Sequence, residues 1–317
     1  MTGVYLEGGR VEIRKFPMPE RPRGFALIRL ICAGICNTDL ELQRGYYNFT
    51  GIPGQEFGGE GVEADRKPLI GRRVVGEINL ACGNCDWCRK DMGRHCPQRS
   101  VLGIVNYPGA FQEFFTLPEC NLHVVPDAIS TEAAVFVEPL AAACELLEQV
   151  RIPCGARVAV LGDGKLGLLV AQVLNAFGYR VHQFGRHPEK LRIAERAGVV
   201  IELAGDRLPI ASYDWVVEAT GSGEGLQAAV KIARPRGTVI MKSTVHGLAT
   251  MDTAAIIVNE LTLVGSRCGR FEPALELLRL GTIKVTDMVS ERFPLQDAPR
   301  AFERAAQKGV LKVLLEN

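Results

Sequence analysis

Hydrophobic positions change their spacing along this chain of 317 residues. From the N-terminus to about Val125, short apolar runs such as FALIRLICAGI, RRVVGEI and FQEFFTL alternate with glycine and proline. This pattern is typical of an irregular β domain. Near Thr131 the spacing becomes helical, because STEAAVFVEPLAAACELLEQV places a suitable N-cap, Ser130, before apolar residues at helical intervals.

From Ala156 onward, apolar strands alternate with amphipathic helices. The runs are RVAVLG, LLVAQVLNAF, YRVHQF and EKLRIAERAG, followed by the strands DWVVEA, GTVIMK and LTLVGS. Such alternation predicts a doubly wound parallel sheet with helices on both faces, in the α/β class. The last segment holds two helices, EPALELLRLG and APRAFERAAQ, and a strand, VLKVLL. We interpret it as a return to the first domain, which gives a division into residues 1–138, 139–268 and 269–317.

Composition narrows the class of protein. The chain is 47% hydrophobic and 23% charged with a formal net charge of +1, which suits a two-domain globular protein and argues against a nucleic-acid-binding protein. No apolar run is long enough to span a bilayer. The first residues, MTGVYLEGGRVEIRKF, carry charges where a signal peptide is apolar. A cytoplasmic protein is therefore expected, in which the ten cysteines serve as thiols or metal ligands rather than disulfides.

The segment LGDGKLG follows the strand RVAVL and opens a helix. Its glycines have the G-x-G-x-x-G spacing, in which the first permits a tight turn, the second lets a pyrophosphate approach the backbone, and the third lets helix pack on strand. Free N–H groups at the helix start then face the phosphates. The motif predicts a dinucleotide site at Gly162, Gly164, Lys165, Leu166 and Gly167.

The next strand indicates which dinucleotide binds. A site for NAD carries an acidic residue about 20 residues further on, but VHQFGRHPEK has no acid between Asp163 and Glu189. Gly185 stands where the acid is expected, and Arg186 follows it. Because a small residue leaves room for a 2′-phosphate that a guanidinium can bind, NADP is favoured over NAD. The alternative is that Arg186 is an ordinary solvated arginine.

Four cysteines lie close together in CGNCDWCRKDMGRHC, within a lobe at about residues 80–98. Cys82, Cys85, Cys88 and Cys96 have the spacing C-x2-C-x2-C-x7-C. Four thiolates in a polar loop predict a closed, tetrahedral structural zinc site. An iron–sulfur cluster is the competing interpretation. His95 is expected at the surface, because four sulfurs complete the shell.

Two further segments carry polar residues beside predicted strands. Cys36, Thr38 and Asp39 follow a strand in AGICNTDLEL, and Gln55 and Glu56 lie side by side in the glycine-rich loop GIPGQEFGGEG. A single cysteine is usually a small buried hydrophobe. Its combination with the glycine loop, the four-cysteine lobe and the dinucleotide turn favours a functional role instead.

The order GICNTD, PGQEFGGEG, four-cysteine lobe, VEPLA and LGDGKLG resembles the zinc-dependent medium-chain dehydrogenase/reductase family over essentially the whole chain. It is most similar to the alcohol, sorbitol and threonine dehydrogenase-like branch. The resemblance implies a GroES-like catalytic domain, a Rossmann domain and an active site in the cleft between them. It also implies that Cys36 is a catalytic-zinc ligand and that Thr38 passes the substrate proton.

Further residues have expected roles in the metal site or the cofactor site. Glu56 matches the glutamate next to the family's ligand histidine, and Glu138 of VEPLA matches a glutamate that approaches the metal. By analogy with the family, Lys312 is expected close to Asp39 or to the cofactor phosphates. The segments ATGS and GSRCG are expected to line the cofactor cleft, through Thr220, Gly221, Ser266 and Arg267.

The chain departs from the family at the metal. The family motif G-H-E is replaced by Gly54, Gln55 and Glu56, and an amide oxygen is a weaker zinc ligand than imidazole. His123, His182, His187 and His246 belong to other segments. Either a catalytic zinc survives on Cys36, Glu56 and Glu138 with help from Gln55, or the cleft holds no metal. A pair of unpaired carboxylates in a closed cleft is costly without a cation, which favours a weakened zinc site.

The expected function is an NADP-preferring alcohol or polyol dehydrogenase that works in reverse on carbonyl compounds. Its catalytic set is Cys36, Thr38, Gln55, Glu56 and Glu138, and its assembly a homodimer or homotetramer. Two alternatives remain: a zinc-independent reductase of an activated C=C or C=N bond, and a cofactor-binding module without catalysis.

Overall fold

The structure is a computed structural model that describes residues 1–205, 208–244 and 250–317. His246 lies outside the described residues. By their internal contacts these residues form two compact units, Met1–Glu138 with Val289–Asn317, and Pro139–Met288. Within the described part of the chain, no helix combines the length and the apolar character that a membrane crossing requires.

Strands occur throughout both units. They are β1 (Thr2–Glu7), β2 (Arg10–Lys15), β3 (Phe25–Ile35), β4 (Glu56–Glu63), β5 (Arg73–Gly76), β6 (Asn79–Leu80), β7 (Ser100–Val101), β8 (Phe114–Pro118), β9 (Leu122–Val124), β10 (Arg157–Leu161), β11 (Arg180–Gly185), β12 (Val200–Leu203), β13 (Tyr213–Glu218), β14 (Ala233–Met241), β15 (Thr262–Gly265), β16 (Val289–Pro294) and β17 (Lys312–Glu316).

The longest helices of the described residues, Val137–Gln149 and Lys165–Ala176, lie wholly or mostly in the second unit. The α-helices are α1 (Asn37–Gln43), α2 (Asp86–Arg89), α3 (Thr131–Ala134), α4 (Val137–Gln149), α5 (Lys165–Ala176), α6 (Pro188–Arg196), α7 (Gly223–Ile232), α8 (Thr253–Val258), α9 (Phe271–Arg279) and α10 (Ala298–Ala305). The 3-10 turns are Tyr46–Asn48, Lys67–Leu69, Gly93–His95, Glu119–Asn121, Thr286–Met288 and Leu295–Asp297.

The first unit is built around the long strand β3. Its sheet has the order β16-β17-β3-β4-β5-β9, and β8 also pairs with β3. Gly34 near the end of β3 lies opposite Glu56 on one side and Leu314 on the other. The first strand residue of β4 and the first of β17, Glu56 and Lys312, are thereby brought beside the end of β3. The residue that follows β3 is Cys36, so these strand ends place three polar side chains in one region.

The second unit is a parallel sheet of order β12-β11-β10-β13-β14-β15. The strands are apolar because both faces are covered by helices, and Leu161, Phe184, Val216 and Val239 meet in one buried cluster. The order reverses direction between β10 and β13. In open α/β sheets the crevice for a ligand lies at such a switch point, outside the carboxyl ends of the strands.

The boundary between the second unit and the returning segment differs from the expected one. The sequence divides the chain at residues 138 and 268, whereas the contacts divide it at 138 and 288. Helix α9 belongs to the second unit, where Phe271 and Ala274 are buried. Gly269 packs so closely on α4 that a Cβ there would meet the Ala141 oxygen at 1.9 Å. The amphipathic pattern of α9 predicts a helix but does not tell which unit covers its apolar face.

Candidate functional site

Cys36 occupies the N-cap position of α1 and is tied to the glycine-rich loop through Asp39. The Cys36 backbone N–H donates to Asp39 Oδ2 at 2.8 Å, and the Gly54 N–H donates to Asp39 Oδ1 at 3.1 Å. Asp39 is fully buried, and this burial raises the pKa of its carboxyl to about 6. One buried carboxyl therefore holds the start of α1 against the loop that carries Gln55.

Gln55 lies beside the Cys36 thiol. Its Nε2 is 3.7 Å from Cys36 Sγ, and both side chains are buried. Burial, followed by the negative charges of Asp39 and Glu56, raises the pKa of Cys36 well above its ordinary value. These neighbours disfavour the thiolate form of Cys36, and its sulfur accepts a weak hydrogen bond from the Gln55 amide. Thr38 follows on the first turn of α1 and is half-buried.

Glu56 forms a buried ion pair with Lys312. The lysine side chain is 0% exposed and the glutamate 4%, and Lys312 Nζ donates to Glu56 Oε2. Nζ also lies 5.6 Å from the centre of the Phe136 ring, within the range of a cation–π contact. Gly34 makes room for the pair, because a Cβ there would meet Glu56 Oε2 and Lys312 Cδ at 3.0 Å each. Lys312 was expected close to Asp39 or to the cofactor phosphates; its positive charge acts on the Asp39 carboxyl, and its direct partner is Glu56.

The proposed ligands of a catalytic zinc do not form a group in the structure. Within the described residues, the clusters of His, Cys, Asp and Glu with all ligand atoms within 4.8 Å do not include the set Cys36, Glu56 and Glu138. Glu138 is half-buried on the first turn of α4. Glu56 needs no metal ion to balance its charge, because Lys312 supplies a positive charge. The three-residue set therefore does not fit a zinc ion in this arrangement.

The four-cysteine lobe does fit a metal ion. Neighbouring Sγ atoms lie 3.9 Å apart for Cys82–Cys88, 3.4 Å for Cys85–Cys88, 3.8 Å for Cys85–Cys96 and 3.6 Å for Cys96–Cys82. These separations are close to the edge of about 3.8 Å in a tetrahedron of zinc and sulfur. Hydrogen bonds from the N–H groups of Asn84 and Cys85 lower the pKa of Cys82 to about 6, whereas desolvation raises the pKa of Cys88 to about 11. Of these two thiols, Cys82 more readily forms the thiolate that a metal binds.

In the second unit, the three glycines of LGDGKLG have different surroundings. Gly162 has a φ of +115°, and a Cβ there would meet the Ala219 oxygen at 2.4 Å; a Cβ on Gly167 would meet the Gly162 oxygen at 2.3 Å. At Gly164 nothing lies within 4 Å of the Cβ position. Helix α5 begins at Lys165, with no side chain capping its first N–H groups. The turn therefore places a helix N-terminus beside an open space, as an anion site requires.

The end of β11 differs from the expectation in one respect. Gly185 was expected to leave space for a 2′-phosphate, but the side chain of Asp163 occupies that space: a Cβ at residue 185 would meet Asp163 Cβ at 2.5 Å. Asp163 Oδ2 accepts hydrogen bonds from the backbone N–H groups of Arg186 at 2.6 Å and His187 at 2.7 Å. The side chain of Arg186 itself is exposed.

Two charged residues that our sequence reasoning missed support the predicted cofactor segments. Glu218 Oε1 at the end of β13 accepts from the Thr220 N–H at 2.7 Å and from its hydroxyl at 2.6 Å. Lys242, just after β14, donates to Ser266 Oγ and to the Arg267 carbonyl at 3.0 Å each. Both are buried. A charged residue at the carboxyl end of an apolar parallel strand, as in DWVVEA and GTVIMK, is the signal that could have identified them.

A cavity of about 490 Å³ lies elsewhere in the first unit. Aromatic residues from the β1–β2 hairpin and two loops line it, including Tyr5, Phe16, Phe49 and Tyr107. None of the predicted catalytic residues contributes to its wall. It is therefore separate from the group formed by Cys36, Gln55 and Glu56.

Family models match both units. Residues 22–127 match the alcohol dehydrogenase GroES-like domain, and residues 166–281 match a zinc-binding dehydrogenase domain.

Curated relatives and solved structures match most of the chain. The chain is 30% identical to 2-dehydro-3-deoxy-L-galactonate 5-dehydrogenase of Pseudoalteromonas atlantica over 85% of this chain and 84% of the relative. It is 26% identical to D-arabitol-phosphate dehydrogenase of Enterococcus avium, over 95% and 92%. A Sinorhizobium meliloti protein described as a zinc-binding dehydrogenase, with NADP bound, superposes with a TM-score of 0.91 and 27% identity. That match covers 100% of this chain and 99% of the other.

Proposed function

Because the chain belongs to the zinc-dependent medium-chain dehydrogenase family and is an alcohol dehydrogenase-like oxidoreductase, we propose that it transfers hydride between NADP(H) and an alcohol or polyol. In the reverse direction the substrate is the corresponding carbonyl compound. Relatives named for the oxidation of arabitol phosphate, altritol and sorbitol support a polyhydroxylated small molecule as substrate. The active form is proposed to be a homodimer or homotetramer.

The observation that carries this proposal is the open glycine turn of the second unit. The start of α5 lies beside the open space at Gly164, where the backbone of a helix N-terminus would hold a pyrophosphate. The exposed guanidinium of Arg186 supports a preference for the 2′-phosphate of NADP. Glu218 and Lys242 hold the segments of Thr220, Ser266 and Arg267 in place. When bound, the nicotinamide supplies the hydride acceptor or donor.

The catalytic centre is proposed to be a modified form of the family's zinc site, in which Gln55 stands in the place of histidine. Because the predicted zinc ligands do not converge on one point, we assign the catalytic roles to side chains and none to a zinc ion. The Gln55 amide, buried beside Cys36, orients the substrate oxygen. Thr38 moves the substrate proton to or from that oxygen. The Lys312–Glu56 pair holds the start of β4 without leaving an unpaired charge.

The same ion pair favours one second candidate. Because Lys312 already balances Glu56, the centre could reduce an activated C=C or C=N bond, for which Lewis-acid assistance matters less. NADP(H)-dependent turnover of polyols, ketoses, enals and iminium compounds distinguishes the two. Turnover of polyols or ketoses alone supports the main proposal, and turnover of enals alone supports the second. Tight NADPH binding with no turnover of either class indicates a cofactor-binding module.

Cofactor preference is tested by fluorescence titration with NADPH and NADH. NADPH is expected to bind at least about tenfold tighter, or about 1.4 kcal/mol. Equal affinities would remove the support that Arg186 gives to NADP.

The modified centre is tested by the substitution Gln55→His. Imidazole is a better zinc ligand than an amide, so the variant is expected to gain one zinc per chain over the wild type and to oxidise polyols faster. Elemental analysis after dialysis against a mild chelator gives the stoichiometry. The matched control is Gln112→His, a buried glutamine whose Nε2 bonds the Gly109 carbonyl. No additional zinc in Gln55→His would show that residue 55 does not face a metal-competent position.

A further inference from the structure

Residue 185 is restricted to glycine by a neighbour in the glycine turn. An ideal Cβ at this position would lie 2.5 Å from Asp163 Cβ, 2.6 Å from its Oδ2 and 2.8 Å from its Cγ. Carbon atoms that are not bonded do not approach so closely. The contact with Asp163 Cβ would persist with alanine at 163, so only glycine at 163 would make room for a side chain at 185.

The Asp163 carboxylate is itself occupied by the end of β11. Oδ2 accepts from the N–H groups of Arg186 and His187 at 2.6 and 2.7 Å, and His187 Nδ1 lies 3.0 Å away. The residue is 8% exposed. The Asp163 carboxylate is therefore hydrogen-bonded within the protein itself. The same hydrogen bonds hold the backbone from which the Arg186 and His187 side chains project, exposed and half-exposed respectively.

These two contacts bear on the choice between NAD and NADP. NAD is recognised by a free carboxylate at the end of the second strand, which bonds the ribose 2′-hydroxyl. The 2′-phosphate of NADP requires instead a cation and no free carboxylate. Here Asp163 prevents an acid at residue 185, and its own carboxylate is directed to backbone donors. The strand end is left with a guanidinium and an imidazole.

We propose that Asp163 is the residue that determines cofactor preference, by excluding every side chain from position 185 and by holding the turn that presents Arg186 and His187. This inference rests on the proposed function, since it requires a nicotinamide dinucleotide at the turn. It predicts that the preference is reversed by moving the carboxylate from residue 163 to residue 185. A substitution at 185 alone should not suffice.

The experiment is a set of four proteins: wild type, Gly185→Asp, Asp163→Gly and the exchange Asp163→Gly/Gly185→Asp. Dissociation constants for NADPH and NADH are measured by fluorescence titration at one salt concentration, with the melting temperature of each protein. The matched control is Glu195→Gln, which removes one negative charge from the exposed face of α6 without touching the Asp163 contacts. The ratio of the NADPH affinity to the NADH affinity of this control should equal that of the wild type.

The exchange variant is expected to change the ratio from about tenfold in favour of NADPH to about tenfold in favour of NADH. Gly185→Asp alone should weaken both cofactors by a similar factor and lower the melting temperature, because overpacking displaces the turn. Asp163→Gly alone should lower the preference for NADPH at least about fivefold, because Arg186 and His187 lose their anchor. A purely structural role of Asp163 would change both affinities together and leave their ratio unaltered.

Three outcomes would overturn the inference. They are an exchange variant that still prefers NADPH, a Gly185→Asp variant that prefers NADH at the wild-type melting temperature, and an unchanged ratio in Asp163→Gly. The last result is decisive even if the exchange variant does not fold. If the wild type binds neither cofactor, the proposed function itself fails. That result is distinct from a failure of the inference about Asp163.

Discussion

At the scale of single residues, Lys312 and Glu56 form a buried ion pair in the first unit. The two belong to strands at opposite ends of the chain, and their ion pair is removed from solvent. Desolvating two charges is expensive, so such a pair adds little net stability, yet losing one partner leaves an uncompensated buried charge. Gly34 is constrained by the same contact, because its missing side chain makes the space.

The substitution Lys312→Met tests this reasoning. We expect a loss of about 3–5 kcal/mol in unfolding free energy, because Glu56 is left buried without a cation. The double substitution Lys312→Met/Glu56→Gln should recover most of that loss. Urea unfolding followed by tryptophan fluorescence measures both. A double variant no more stable than the single one would mean that Lys312 stabilises the unit by packing rather than by its charge.

On the scale of elements, the first unit depends on connections between short segments. The lobe from β6 to β7 holds four sulfurs within 4.8 Å of one another but has only one short helix, α2, and a 3-10 turn. Such a segment has little apolar core of its own, so a bound metal supplies much of its folding free energy.

The returning segment is joined to α3 by Arg292, whose Nε and Nη2 each donate to Glu132 at 2.7 Å.

The lobe is tested by Cys85→Ser. An incomplete thiolate shell should lose its zinc, about one ion per chain, and lower the thermal stability of the first unit. Inductively coupled plasma analysis counts the metal. Cys120→Ser is the matched control, since Cys120 is an exposed thiol outside the lobe. Full zinc retention in Cys85→Ser would contradict the assignment, and iron in place of zinc would indicate a cluster.

The Glu132–Arg292 pair should stabilise the unit in a pH-dependent way. The hydrogen bonds from Arg292 lower the pKa of Glu132. A depressed carboxyl pKa gives stability above the unfolded value, about 4.3, that is lost as the pH falls through the folded value. Because both side chains are partly exposed, Glu132→Gln should cost no more than about 1 kcal/mol at pH 7.

The measurement is the difference in unfolding free energy between wild type and Glu132→Gln at pH 7 and at pH 3.5. The difference should shrink at the lower pH. The exposed Glu303 on α10 supplies a control, Glu303→Gln. A penalty for Glu132→Gln that is the same at both pH values would show that the pair does not act through its charge.

On the scale of the whole molecule, the two units carry different proposed ligand sites. The four-cysteine lobe and the Cys36 group belong to the first unit, and the glycine turn belongs to the second. A ligand stabilises the part of the protein that binds it in the native state.

Hydrogen exchange followed by mass spectrometry should therefore resolve two separate effects. NADPH should slow exchange in the segment from β10 to β11, around the glycine turn. A strong zinc chelator should speed exchange between β6 and β7. Uniform protection by NADPH over both units, or no effect of the chelator on the lobe, would contradict this division.

The sequence by itself determined the features that depend on short stretches of chain. A glycine turn between strand and helix and four cysteines within fifteen consecutive residues are local patterns, because neighbours in sequence fix their geometry. The structure places the predicted turn at Gly162, Gly164 and Gly167, and brings the four sulfurs together. The alternation of strands and helices in the second unit was predictable for the same reason.

Only the tertiary structure decided which distant residues meet. Lys312 pairs with Glu56 across 256 positions, because β3 lies between β17 and β4. The order of strands in a sheet cannot be predicted from a local sequence pattern. Asp163 takes the space beside Gly185 because two parallel strands end at the same edge. Helix α9 joins the second unit because its apolar face is covered there. In each case the deciding quantity is the packing of surfaces far apart in sequence, which periodicity and composition do not specify.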